Sequence, residues 1–102
     1  MLEHTLLRAV AEQLLTEGKG EIVIAGQKLD VKRVGSGRLR SVNFQTNGRE
    51  LHAIEQNPDK PSRWGKLAKE GHRVVQFRDP KTHRYVAVSV DGEIKEYVRM
   101  KT

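Results

Sequence analysis

Asn47-Gly48 stands between two runs in which apolar and polar residues alternate, and that arrangement leaves the centre of the chain little freedom. A two-residue hairpin turn needs positive φ at its central positions, which Asn-Gly accepts at low cost, and its twist matches that of paired strands. Pairing across it sets Phe44 against Leu51 and Val42 against Ala53, with Asn43 against His52 and Gln45 against Glu50 on the other side. An antiparallel hairpin with one buried face is therefore expected. Leu39 has the wrong parity for that face, and a bulge or a late strand start near Arg40 is the expected reason.

Three further strand regions carry turn signals of their own. Gly26-Gln27, with glycine first as a type II′ turn requires, joins residues 21–25 to 28–34 and places Ile24 opposite Leu29 and Ile22 opposite Val31. A loop from Pro80 to His83 joins residues 74–79 to 84–90 and sets Phe77 against Val86 and Val75 against Val88. A last strand over residues 93–100 follows Asp91-Gly92, with Ile94 opposite Ser89 or Val88 depending on the length of the turn.

Helical periodicity occurs twice. Leu2, Leu6, Leu7, Val10, Ala11, Leu14 and Leu15 recur at spacings of three and four, and Gly18 and Gly20 supply a stop. Such a stripe belongs to a core or to a dimer seam. The second helix is short: Pro58 and Pro61 break the chain, Ser62 caps residues 63–70, and Gly71 ends it. Gly65 weakens a helix of this length, so docking of Trp64 on the sheet is expected to hold it.

The resulting order is helix, four strands, helix, three strands, all with short connections. It predicts a single α+β domain over residues 1–102, a curled antiparallel sheet or partly open barrel of about seven strands.

The formal charge of +6 and a sequence pI near 9.9 favour a polyanionic partner, nucleic acid before an anionic membrane surface. No cysteine is present, which removes disulfides and thiolate metal sites. Neither a leader pattern nor an apolar run of membrane-spanning length is found, so a cytoplasmic protein is expected.

Two basic segments are the candidate site. Lys32, Arg33, Arg38 and Arg40 surround the glycines of Gly35-Ser36-Gly37, where exposed backbone amides and forked guanidinium groups suit phosphates. Lys60, Arg63 and Lys66, with Lys69, crowd the short helix, whose first turn carries cations where acids would be favoured. The competing readings are a solvated loop for the first segment and long side chains covering Trp64 for the second.

His4, His52, His72 and His83 are scattered, without helical pairing at metal-ligand spacing, and no nucleophile elbow or phosphate-binding loop occurs. No catalytic residue, metal or cofactor is therefore expected. The expected function is non-enzymatic nucleic-acid binding, mainly to the phosphate backbone, DNA or RNA. The alternative is an assembly module, a homodimer formed through the first helix or an edge strand. A small enzyme or ligand-binding barrel is the third reading. The nucleic-acid reading requires the two basic segments to form one continuous surface; acidic side chains wedged between them, or Arg38 and Arg40 tied up in internal ion pairs, would leave it without support.

Overall fold

The computed structural model describes residues 3–17, 20–46 and 49–97. Helix α1 (Glu3–Glu17) is followed by strands β1 (Glu21–Ile24), β2 (Gln27–Asp30), β3 (Lys32–Val34), β4 (Leu39–Gln45) and β5 (Glu50–Glu55). Helix α2 (Arg63–Lys69) then leads to β6 (Val74–Arg78), β7 (Tyr85–Val90) and β8 (Glu93–Tyr97). Strands β3 to β8 form a six-stranded antiparallel sheet in sequence order, and β1 and β2 form a separate two-stranded sheet. The architecture is α+β, and the sheet does not close into a barrel. Among the described residues no helix is long and apolar enough to cross a membrane.

One face of the six-stranded sheet, the inner face, carries the main core. Val42, Phe44, Leu51, Ala53, Val75 and Phe77 alternate inward, and Leu6, Leu7, Val10, Ala11 and Leu14 of α1 bury against them. The leucine stripe thus belongs to the core, and full burial of each such side chain contributes about 1.5–3 kcal/mol. Phe44 and Phe77 meet edge to face, with centroids 5.9 Å apart. Ile22, Ile24 and Leu29 of the two-stranded sheet complete the cluster.

The outer face carries a smaller core. Trp64 of α2 packs on Val74, Val88 and Val90, with Leu67 and Ala68 beside it. Ser62 caps the helix, its Oγ accepting from the Gly65 amide at 3.2 Å, and Gly71 ends it at φ +99°. Gly65 has a packing reason beyond those visible in the sequence: a Cβ there would lie 2.1 Å from the Lys60 carbonyl oxygen. The chain segment ahead of α2 crosses directly over its first turn.

The central hairpin has the expected register, from Gln45–Glu50 through Val42–Ala53. Its Asn47-Gly48 tip, the Gly18 stop and the strand end beyond Tyr97 lie outside the described residues. No bulge occurs at Leu39: β4 begins there on the outer face, paired with Val34.

Three expectations are corrected. The first turn is Ala25-Gly26, with φ of 47° and 79°, so Ile22 faces Leu29 and Ile24 faces Gln27. Residues 28–34 are two strands in two sheets: Val31 still bonds the first hairpin, its amide to Gly20 O at 2.9 Å, while Lys32–Val34 pair with β4. In the third hairpin a bulge after Arg78–Tyr85 shifts the register to Phe77–Ala87 and Val75–Ser89. Val86 and Ala87 then both join the main core, and Val88 turns outward onto Trp64. The last turn is the two-residue one, with Ile94 opposite Ser89.

One side chain stitches the two sheets together. The Gln27 carboxamide donates to Gln45 O and accepts from Gln45 N, both at 3.1 Å, as a neighbouring strand would.

Candidate nucleic-acid interface

The β3–β4 connection turns through Gly35, Ser36 and Gly37, all at positive φ. Lys32 and Arg33 precede it and are exposed. Arg33 folds back over its own turn, with Nη1 at 3.5 Å from Gly37 O.

Arg40 is not available to a ligand. Its Nε and Nη2 hold both oxygens of Glu55 at 3.1 and 2.8 Å, and Nη1 donates to the Leu15 carbonyl in the last turn of α1 at 3.1 Å. The hydrogen bond to Glu55 raises its pKa further above the ordinary arginine value, against the opposing effect of burial. The expected phosphate contact at Arg40 is replaced by an internal tie between α1, β4 and β5.

Arg38 is also paired, with Asp59 at 3.0 Å, but both side chains remain more than half exposed. This contact brings the two basic segments side by side, with one carboxylate between them. Pairs this exposed contribute little, about 0–1 kcal/mol, and yield to competing charges. Beyond Asp59, Lys60, Arg63, Lys66 and Lys69 open onto one shallow concavity floored by Pro58 and Pro61. The Arg63 guanidinium lies 4.1 Å above the Trp64 ring, so it both covers the indole and keeps its charge at the surface.

A third group, undervalued in the sequence, occupies the part of the outer face that α2 leaves open. Asn43, His52, Arg78 and Tyr85 follow one another across β4, β5, β6 and β7. His52 Nδ1 and Asn43 Oδ1 are 2.6 Å apart, a contact that makes Nδ1 the donor in the neutral ring. Burial first, then the positive charges of Arg78, His83 and Lys32, hold the His52 pKa below its usual value, with Glu50 opposing. Arg78 donates from Nε and Nη2 to Gln76 Oε1 at 2.9 and 2.6 Å. Gln76 in turn donates to Gln56 Oε1, and Gln56 to Asn57 O at 3.0 Å. A chain of neutral amides thus fixes Arg78 without cancelling its charge. The alternation of the central hairpin places Asn43 and His52 on this side; nothing in the sequence shows that Arg78 would be held by the neutral Gln76 two residues before it on β6.

At the opposite end, Asp91 accepts from the Arg73 amide at 2.9 Å and contacts His72 Nδ1 at 2.7 Å. These bonds, Arg73 first, hold its carboxyl below the ordinary range and tie the β7–β8 turn to the end of α2. Among the described residues no three His, Cys, Asp or Glu side chains gather as a metal site.

Compared with protein-family models, curated proteins and solved structures, the chain matches none.

Proposed function

We propose that this protein binds nucleic acid, chiefly through the phosphate backbone. The observation that carries the reading is the concavity lined by Lys60, Arg63, Lys66 and Lys69, in which the acid among the described lining residues, Asp59, is paired with Arg38. Four exposed cations against one carboxylate, itself paired with Arg38, suit a chain of phosphates. Arg38 joins this surface when a phosphate displaces Asp59, whereas Lys32 and Arg33, consecutive in β3, point to opposite faces of the sheet and do not both extend it. Arg40 has no part in it.

Fluorescence anisotropy with labelled DNA and RNA oligonucleotides tests the proposal. Binding is expected at about 50 mM salt and should fall steeply as salt rises, because each phosphate neutralised releases condensed counterions. Reversing charge at Lys60, Arg63 and Lys66 together should flatten the salt slope by about three. Absence of binding at the low-salt limit would end the proposal.

A further inference from the structure

We propose that the open part of the outer sheet face is a site for single-stranded nucleic acid, with Tyr85 as a stacking platform and Arg78, Lys32 and His83 as phosphate contacts. This rests on the nucleic-acid reading and adds a surface and a strandedness to it.

Several observations converge. Among the described residues Val23 and Tyr85 are the exposed large hydrophobic side chains, at 57% and 40%, and Tyr85 stands directly across from Arg78 in the sheet. An aromatic ring beside a guanidinium on an open sheet offers an unpaired base a π-face and its phosphate a donor. A duplex keeps its bases stacked on one another and cannot use such a platform.

Arg78 is preorganised for this role. Gln76 holds its Nε and one side of Nη2, leaving the rest of the fork free to donate. Among the described residues no carboxylate pairs with it. The charge is therefore fixed in position and uncompensated, the reverse of Arg40 and Glu55.

Two acids stand at the margins, bonded by neutral donors that leave their charge in place. Glu50 accepts from Gln45 Nε2 at 3.2 Å and Glu96 from the Tyr85 hydroxyl at 3.4 Å. Between them lie Lys32, Arg78 and His83, whose positive charges converge on His52 in the middle of the face. Asn43 and the outer nitrogen of His52 add neutral polar groups able to bond a base edge or a sugar.

The test uses the full chain with labelled single strands of about 15 thymidines or uridines and a mixed-sequence duplex of the same length. The unaltered protein should prefer at least one single strand to the duplex. Tyr85→Leu should weaken that binding about tenfold and leave the duplex unchanged, while Tyr85→Phe, which keeps the ring, should bind as the unaltered protein does. Arg78→Gln should give a comparable loss on the single strand. Tyr85 is exposed, so its variants are expected to fold, and circular dichroism verifies this. Single-strand binding unchanged in Tyr85→Leu and Arg78→Gln, or weakened equally for duplex and single strand, overturns this site while leaving the phosphate-binding concavity standing. An unaltered protein that binds no oligonucleotide overturns both.

Discussion

Arg40 and Arg78 are both partly buried, and multiple hydrogen bonds hold each of them, yet the two have opposite consequences. Arg40 ends on a carboxylate and on the carbonyl of Leu15, so its charge is spent inside the fold, where α1 meets the sheet. Arg78 ends on Gln76, a neutral acceptor, so its charge still acts outward. The lesson is that the partner, more than the burial of an arginine, decides whether it serves structure or ligand. The same contrast separates the two faces of the sheet, apolar and covered beneath α1, polar and open beyond α2.

The sharpest way to break this comparison is to remove the carboxylate. Glu55→Ala leaves Arg40 half-buried without its counter-charge, and we expect a loss of about 3 kcal/mol in urea denaturation. That value lies at the low end for broken buried pairs, because the two side chains keep 23% and 17% of their exposure. A loss below about 1 kcal/mol would mean that the pair behaves as a surface contact.

Gly65→Ala probes the support of the outer face. Its Cβ would fall 2.1 Å from the Lys60 carbonyl, so the gain in helix propensity is outweighed and stability should drop by about 2 kcal/mol. A stabilised variant in the same titration would show that the crossing segment yields easily. Gln76→Leu cuts the amide chain and leaves Gln56 Oε1 without its donor, at about 1 kcal/mol. Its diagnostic effect is on Arg78, which loses its anchor while keeping its charge, so oligonucleotide affinity should fall without a change in salt slope.

Asp59→Ala should alter stability by no more than about 0.5 kcal/mol, since the pair with Arg38 is exposed. It should strengthen oligonucleotide binding severalfold by removing the one acid between the two basic segments; weaker binding would mean that Asp59 positions Arg38. The smallest effect concerns His52. Its pKa in the folded protein lies below the unfolded value of about 6.5, so on acidification the unfolded chain takes up the proton first. The His52 contribution is therefore full above that value, declines as pH falls through it, and stops changing below the folded pKa. His52→Gln should remove this part of the acid sensitivity, as thermal melts across the range would show. Phosphates near the ring favour its charged form, so the same acidification should tighten oligonucleotide binding.

The sequence made the central hairpin legible because Phe44, Val42, Leu51 and Ala53 alternate with polar residues, so a slip by one would expose all four. In β7 the run Val86-Ala87-Val88-Ser89-Val90 is apolar on both sides, and alternation says nothing about register there. The bulge is decided by α2, since Trp64 needs Val88 and Val90 facing outward. The first turn was misplaced for another reason: glycine-first chemistry favours Gly26-Gln27, whereas Ala25 accepts φ of 47° in a pairing that leaves Gln27 free to reach Gln45. At the site, the charges could be read but their partners could not. Glu55 lies 15 residues from Arg40 and Asp59 lies 21 from Arg38, separations at which composition carries no pairing information.

The carboxamide of Gln27 has a consequence for how copies of this chain meet. By bonding both main-chain groups of Gln45, it occupies the stretch of β4 that lies beyond the short β3, where a neighbouring molecule would otherwise add its own backbone. A single amide thus works as a stopper on strand addition at that end.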